Sequence, residues 1–458
     1  MNPFCYVCDD PDAVTPGESL LLRDEGKLRQ AHRNMKCSIK STTETGQVTE
    51  RKCQFVKVWL DDPKMRTYMR LDFLPPPLTC PESVFNIWKG FAVDRMPFSL
   101  DDQPESKEEF EARVKPFLDH VELMVGGKHN VQGKEYLLNW LAHMLQYPGE
   151  LNGVAIILKS AQGAGKGCFM ETLKNIIGED LYYETADMAQ LFSTFSVGRR
   201  NKILINIDEC GTLPVATQLK NMLTSPTLNY EEKGVTPVTV RNFNRAMLTT
   251  NLELPAKVEG DDRRYTMYEC SSEKRGDAAY FARYREWMKE PRNLIAVAKY
   301  LRSLDISKVN WMMDRPESDM YKDAKYDCAD LVLKYIESLY MQIAEEEPVA
   351  SYTGKAMFDG FIKWLRASNH PSNAWNSTNF GRKLSEYMRE DEAAREKTSE
   401  AAITKGSTAK GVSYKLQRAP LQRFLKARGL LIDRGFSFDE ACEEPSQGDD
   451  EIEAGAQG

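Results

Sequence analysis

Short apolar runs alternate with segments of helical spacing in the middle of the chain. The runs at 154–158 (VAIIL), 203–207 (ILINI) and 246–250 (AMLTT) are separated by segments whose apolar positions recur every three or four residues. Strands of a parallel sheet read as nearly continuous apolar runs because helices cover both faces. The alternation therefore predicts an α/β layer with a buried, largely parallel sheet.

Other patterns flank this layer. Residues 1–80 are polar and mixed, and residues 81–150 have the spacing of helices. After the layer, 277–345 return to helical spacing and 351–434 form a separate small unit that ends basic. Residues 436–458 are acidic and poor in hydrophobic side chains, so we expect them to be disordered.

The net charge of −7 looks unfavourable for nucleic-acid binding, whose usual footprint is basic. The charge is uneven, however. Residues 439–458 hold eight acidic and no basic residues, whereas 405–434 hold eight basic residues and one acidic residue. The composition therefore excludes a uniformly basic coat protein and leaves localised contacts with nucleic acid open. No stretch approaches the ~18 apolar residues of a membrane span, and no secretory signal is visible, so we expect a cytoplasmic protein without a membrane partner.

A glycine-rich loop follows the first apolar run. Residues 160–167 (SAQGAGKG) lie between that run and the helical segment CFMETLKNII, which is the setting of a phosphate-binding loop. Glycines let backbone N–H groups face phosphate oxygens, the helix N-terminus adds a positive dipole end, and the lysine contributes a point charge. The candidate ATP-binding residues are Gly163, Ala164, Gly165, Lys166, Gly167 and Cys168.

Two positions depart from the usual phosphate-loop pattern. Ser160 stands where the first glycine is usual, and Gly167 stands where a Ser or Thr normally ligates Mg²⁺. The alternative interpretation is a glycine-rich turn between strand and helix that binds no ligand.

Polar residues end the second and third apolar runs. Asp208 and Glu209 follow the second run, and Asn251 follows the third. Because the carboxyl ends of parallel strands meet at one sheet edge, we expect these side chains beside the phosphate loop. We predict that Asp208 holds Mg²⁺, that Glu209 activates the attacking water, and that Asn251 senses the γ-phosphate. Taken alone, the pair Asp208 and Glu209 is explained better by a solvated strand end.

Two arginines follow in the sequence GDDRRY. Arg263 or Arg264, placed in a neighbouring subunit's nucleotide site, would offset charge that develops in the transition state. The alternative is a surface patch with local ion pairs to Asp261 and Asp262.

In this order, the loop, the acidic pair, the asparagine and the arginines resemble the superfamily 3 helicases of viruses and mobile elements. More narrowly, the segments at 139–167 (NWLAHMLQYPGELNGVAIILKSAQGAGKG) and 85–94 (FNIWKGFAVD) resemble the helicase part of phage and prophage primase-helicases related to the poxvirus type. The resemblance covers roughly residues 55–270 well. It implies an AAA+-like P-loop NTPase fold, ATP and Mg²⁺ as cofactors, and a homo-hexameric ring in which the arginine acts in trans.

The resemblance also suggests a division of the chain. The expected regions are a mixed N-terminal region (1–80), a helical collar for oligomerisation (81–150), the P-loop ATPase helicase core (151–275), a helical lid (276–345), a winged-helix-like DNA-binding domain (346–435) and an acidic disordered tail (436–458). The first region is too short for a primase domain, so a primase that acts with this protein would be a separate chain.

DNA contacts are expected in two places. In similar helicases a hairpin between the second and third strands faces the ring pore, and residues 229–240 predict such a hairpin. Lys233 near its turn is the first candidate for contact with single-stranded DNA, and Lys220 and Arg241 are weaker ones. In similar helicases a C-terminal winged-helix domain binds duplex DNA, often an origin, and the basic charge interleaved with Tyr414 and Phe424 fits phosphate contact in this unit. The alternatives are a solvated turn and a packing domain with a basic face.

These observations predict an ATP-dependent DNA helicase that translocates on single-stranded DNA during replication of a phage, prophage or satellite element. Two other functions stay open. One is an origin-binding initiator whose ATPase drives assembly, and the other is a P-loop ATPase that is not a helicase.

Overall fold

The computed structural model describes residues 6–9, 20–42, 48–97, 106–193, 197–208, 216–230, 238–251, 263–318, 320–322, 326, 329–394, 399–409 and 411–431. Glu209, Lys233 and the segment 436–458 lie outside the described residues. The chain divides into two compact units, Met1–Ala324 and Lys325–Gly458. No helix among the described residues has both the length and the hydropathy to cross a bilayer.

The first unit begins with small paired strands and two long helices. Two strand pairs, β1 with β2 and β3 with β4, are antiparallel, and β5 with β6 is parallel. The elements are β1 (Tyr6–Asp9), β2 (Leu20–Arg23), α1 (Glu25–Ala31), β3 (Lys36–Thr42), β4 (Val48–Gln54), α2 (Phe55–Leu60), β5 (Arg70–Asp72), β6 (Val84–Asn86), α3 (Ala92–Arg95), α4 (Lys107–Met124) and α5 (Val131–Gln146).

The remainder of the first unit contains the central sheet and its helices. These elements are β7 (Ala155–Lys159), α6 (Lys166–Ile177), β8 (Tyr182–Thr185), α7 (Met188–Leu191), β9 (Leu204–Ile207), α8 (Ala216–Thr224), β10 (Thr227–Tyr230), β11 (Val238–Arg241), β12 (Arg245–Thr250), β13 (Tyr265–Glu269), α9 (Ala278–Met288) and α10 (Pro291–Ser303).

The central sheet is parallel throughout, in the order β13-β7-β12-β9-β8. Strands β9 and β12 are buried along their whole length, and β7 is buried except at Lys159. The predicted mixed α/β architecture with a buried parallel sheet is therefore confirmed. The apolar runs predicted β7, β9 and β12, whereas β8 and β13 contain polar residues at several positions and become recognisable only through their pairing.

Helices α4 and α5 form the layer beside the sheet. A reciprocal pair of hydrogen bonds between Ser106 and Glu109 caps the first turn of α4. Apolar side chains such as Phe117, Val121 and Trp140 are fully buried in a core that continues into β7 and α6. Helix α10 packs against both helices.

A buried arginine of the sheet forms hydrogen bonds with the segment after α5. Arg245, the first residue of β12, is 1% exposed and donates to the carbonyl oxygens of Tyr147 (2.7 Å), Glu150 and Pro148 (3.3 Å). Burial lowers the pKa of its guanidinium to about 9. Carbonyl partners of the two terminal nitrogens offset part of the cost of burying this group.

The second unit is a small α/β assembly with its own core. Its sheet is antiparallel, in the order β14-β16-β15. Phe361, Leu384 and Leu416 are among its fully buried side chains. The elements are α11 (Leu331–Gln342), β14 (Val349–Thr353), α12 (Gly354–Ala367), α13 (Ser377–Ala394), β15 (Ile403–Thr408), β16 (Gly411–Gln417) and α14 (Arg418–Ala427).

The second unit differs from the sequence expectations in its boundary and in the burial of two aromatic side chains. The division at Ala324 puts α11 in the second unit, although its sequence pattern groups it with the helices of 276–345. The suggestion that Tyr414 and Phe424 take part in a nucleic-acid surface is wrong, because they are only 5% and 4% exposed. Alternation with basic residues arises here because strand β16 turns every second side chain, Tyr414 and Leu416, into the core.

Candidate functional site

The glycine-rich loop joins the carboxyl end of β7 to α6, as the sequence predicts. Gly163 and Gly165 have φ values of 85° and 107°, a region that favours glycine. Gly165 is the N-cap of α6, so the first N–H groups of the helix have no partner within the helix and face the loop. Ala164 is 2% exposed and anchors the loop. A β-carbon added at Gly167 would meet nothing within 4 Å.

Lys166 reaches from α6 to two other elements. Its Nζ lies 3.0 Å from the carbonyl oxygen of Ser160, 2.6 Å from the hydroxyl of Ser160 and 2.8 Å from Oδ1 of Asn251. The Ser160 hydroxyl in turn donates to the carbonyl of Ala161 at 2.9 Å. The residue that departs from the usual glycine thus supplies a hydroxyl partner for the lysine.

Asp208 and Asn251 lie at the carboxyl edge of the sheet. They follow β9 and β12, which are neighbours in the sheet, and β12 also adjoins β7. The hydroxyl of Thr249, itself 2% exposed, donates to Oδ1 of Asp208 and holds that carboxylate in place. The described residues contain no group of three or more His, Cys, Asp or Glu that would hold a metal by themselves.

A cleft of about 480 Å³ brings these groups together. The whole predicted set from Gly163 to Cys168 lines it, with Asp208 and Asn251 opposite. Its remaining wall comes from α9 and the turn before it, through Gly276, Ala278, Phe281 and Arg285.

The residues of α9 were not predicted as part of the site. Arg285 Nη1 lies 4.0 Å from Sγ of Cys168 and brings a second positive charge to the cleft. Phe281 adds an aromatic ring, whose Cε1 would be 3.1 Å from a β-carbon placed on Gly165. Nothing local in the sequence distinguishes this helix, because its link to the loop depends on packing between segments more than 100 residues apart.

His120 of α4 packs against the loop at Gly165. Its ring is fully buried, with Nε2 3.0 Å from the carbonyl oxygen of Gly165 and Nδ1 2.9 Å from the hydroxyl of Tyr280. The network assigns the proton to Nε2, which donates to Gly165, while Nδ1 accepts from Tyr280. The ring also stacks on Tyr284 at 4.3 Å between centroids. Burial lowers the pKa of His120 to about 4, so the ring is neutral at physiological pH.

Arg263 and Arg264 lie at the opposite edge of the sheet. The N–H of Ala155, the first residue of β7, donates to the carbonyl of Arg264 at 2.8 Å, whereas the glycine-rich loop follows the other end of β7. Five residues of extended strand separate the two ends by about 16 Å. Arg263 is exposed and its Nη1 contacts Sδ of Met313 at 3.3 Å. Neither arginine lines the cleft of its own chain.

The structure contains the paired strands at the base of the predicted hairpin. Strands β10 and β11 are antiparallel, with Thr227 opposite Arg241 and Tyr230 opposite Val238. Arg241 is exposed at the end of β11, and Lys220 is half-buried on α8.

Comparison with known proteins gives three similarities. A model described as a family of unknown function (DUF5906) matches residues 158–264, the stretch from the end of β7 to the paired arginines. A DNA primase-polymerase of Nitratiruptor phage NrS-1 is 31% identical over 237 residues, which are 50% of this chain and 29% of that protein.

The third similarity is structural. Three apo structures of the NrS-1 C-terminal region align with TM-scores of 0.56, 0.57 and 0.59 at 18% identity. They cover 87% to 90% of this chain and 92% to 96% of theirs. Identity this low supports likeness of fold alone. The chain thus resembles part of a phage primase-polymerase in sequence and the NrS-1 C-terminal region in fold.

Proposed function

We propose that the protein is an ATP-dependent DNA helicase of the superfamily 3 type, with a P-loop NTPase core, that acts in replication of a phage, prophage or satellite element. One observation carries the proposal. The ammonium group of Lys166 lies 2.8 Å from Oδ1 of Asn251. Asp208, which directly follows β9, lies at the same edge of the sheet and lines the same cleft. The sequence similarity to a phage DNA primase-polymerase supports the replication setting.

The residues of the cleft fit an ATP–Mg²⁺ complex. The N–H groups at the start of α6 and the ammonium of Lys166 are donors for phosphate oxygens. Asp208 is a carboxylate ligand for Mg²⁺, which usually takes one or two protein carboxylates and completes its shell with phosphate and water. When bound, Mg²⁺ would neutralise charge on the phosphates. The open space beside Gly167 leaves room for a water where other loops have a hydroxyl ligand.

Each protein group then has a defined task. Lys166 exchanges its contacts with Ser160 and Asn251 for contacts with phosphate, and Asn251 becomes available to orient the γ-phosphate and water. Glu209, the residue after Asp208, takes the proton of the attacking water. Arg285 adds a cation from the same chain, a role that the structure suggests and the sequence did not.

The arginine pair requires a neighbouring subunit. Because Arg263 and Arg264 lie at the far edge of the sheet, they act in this proposal on the cleft of an adjacent copy, in a homo-hexameric ring. Arg263 is the better candidate because its side chain is exposed. Single-stranded DNA would pass through the pore along the β10–β11 hairpin, with Lys233, Lys220 and Arg241 as phosphate contacts.

The wider setting follows from the same proposal. The second unit would act as a winged-helix-like domain on duplex origin DNA, and exposed Lys415, Arg423 and Lys426 are suitable cations there. The compartment would be the cytoplasm of a bacterial host.

The direct test is ATP hydrolysis with and without single-stranded DNA. Lys166→Ala should lower the DNA-stimulated rate by about 100-fold or more, since a lost charge-stabilising donor typically costs that much. Lys174→Ala is the matched control, because Lys174 lies on the same helix but pairs with Glu179 at 2.9 Å, away from the cleft. Equal rates for the two variants would reject the site assignment.

Strand separation on a forked substrate distinguishes the alternatives. A helicase unwinds the fork only with hydrolysable ATP. The initiator alternative predicts sequence-specific duplex binding without unwinding. A P-loop ATPase with another target predicts no stimulation by DNA.

A further inference from the structure

The ribbon formed by β3 and β4 is open to solvent on both faces. Of its fourteen residues, only Cys37 and Cys53 are half-buried, and every other residue is exposed. An isolated pair of strands gains little stability from such a ribbon, so core packing does not explain its side chains.

The charged side chains of the ribbon are mostly basic. Strands β3 and β4 carry Lys36, Lys40, Arg51 and Lys52 against one acidic residue, Glu50. Within the part of the chain that the structure describes, these four cations take part in no ion pair. An excess of exposed positive charge, here four cations against one carboxylate, attracts a polyanion.

The register places the lysines on one face. Lys36 lies opposite Gln54, Ser38 opposite Lys52, and Lys40 opposite Glu50, so these residues point to the same side. The three lysines therefore stand at successive steps of two residues, about 7 Å apart along the ribbon. The Ser38 hydroxyl between them is a further donor for a phosphate oxygen.

The opposite face has a different character. Arg51 lies directly across from Ile39, which is 41% exposed, and Ser41 lies across from Thr49. Cations therefore lie on both faces of the ribbon. A single partner that contacts all four cations must surround the ribbon. The major groove of duplex DNA, about 12 Å wide, admits a two-stranded β-ribbon in this way.

We propose that the β3–β4 ribbon is a binding element for duplex nucleic acid, which enters the major groove and contacts phosphates through Lys36, Lys40 and Lys52. This contact is separate from the ATP cleft and from the proposed pore hairpin. On the proposed function, the ribbon would hold duplex ahead of or beside the strand that is unwound. Binding of duplex by the ribbon requires no ATP.

The test uses the full chain without ATP. Binding to a duplex of arbitrary sequence and to one of its strands is measured by fluorescence anisotropy over a range of salt. The variant Lys36→Gln, Lys40→Gln, Lys52→Gln is compared with the control Lys107→Gln, Lys289→Gln, Lys308→Gln, which removes the same charge from exposed positions elsewhere in the first unit. All six positions are exposed, so both variants should keep the thermal midpoint of the parent.

The expected result is duplex binding at least about tenfold weaker for the ribbon variant, with a slope of log affinity against log salt that is smaller by about 3. The control should match the parent. Equal affinities for ribbon variant and control would overturn the proposal. A loss on the single strand as large as on the duplex would overturn the groove assignment. Tighter duplex binding by the ribbon variant would also overturn the proposal. It would indicate that the ribbon lysines bind an acidic segment such as 439–458 and not DNA.

Discussion

Replacement of Gly165 by alanine should destabilise the protein, whereas the same change two residues later should not. At Gly165 the φ of 107° costs alanine roughly 1–2 kcal/mol. The new β-carbon would also lie 2.8 Å from Cε1 of His120, whose ring is fully buried and cannot swing into solvent. Overpacking of this kind costs roughly 1–3 kcal/mol, so Gly165→Ala should lose about 2–5 kcal/mol.

Gly167→Ala is the matched control. Its β-carbon meets nothing within 4 Å and its residue lies in the first turn of α6, where alanine is preferred to glycine. The free energy of unfolding should stay the same or rise by up to about 1 kcal/mol. Urea unfolding followed by tryptophan fluorescence, without nucleotide, measures both variants.

A double-mutant cycle separates the two costs of Gly165→Ala. In a His120→Ala background the contact with His120 is gone, so the backbone cost of about 1–2 kcal/mol should remain, together with the milder contact of the new β-carbon with Cε1 of Phe281 at 3.1 Å. The coupling between the two positions should then be about 1–3 kcal/mol. If Gly165→Ala costs the same in both backgrounds, or costs no more than Gly167→Ala, the contact between His120 and the loop does not exist as described.

Three further predictions address pH, metal and assembly. His120 binds a proton near pH 6.5 in the unfolded chain but only near pH 4 in the fold, so the unfolded state binds more protons between these values. Stability should therefore fall by about 1.4 kcal/mol per pH unit as pH is lowered through that window, and urea unfolding of His120→Gln should show a shallower slope; an unchanged slope would contradict the assigned burial. Gly167→Ser restores a hydroxyl at an open position, so the Mg²⁺ concentration that supports half-maximal ATP hydrolysis should fall; a rise would mean that the metal is not held on this side of the loop. Arg263→Ala and Lys166→Ala should each be inactive alone, yet a mixture should regain part of the ATPase rate because some interfaces then combine an intact loop with an intact arginine; no recovery would exclude action in trans.

Residues that act within one local segment could be predicted from sequence. The glycine-rich loop follows from the local order of strand, glycines, lysine and helix, and Asp208 and Asn251 follow apolar runs that are buried strands. Their meeting at one edge follows from parallel pairing, a general rule rather than a detail of this chain.

Residues whose role depends on distant packing could not be predicted. His120 is 45 residues before Gly165, and a lone histidine in a helix carries no pattern that points to a backbone carbonyl elsewhere. Arg285 was missed for the same reason. Tyr414 shows the opposite failure, since its basic neighbours suggested an exposed surface while strand geometry turns the ring inward.

The position of the arginines has a consequence for the number of working sites. Each copy holds its loop at one end of the sheet and its arginines at the other, so on the proposed function copies would join head to tail. On the proposed function, an open row of subunits always leaves one loop at its end without an arginine. Closure alone gives every subunit a complete site, so the ATPase rate per subunit should report how far assembly has progressed from open row to closed circle.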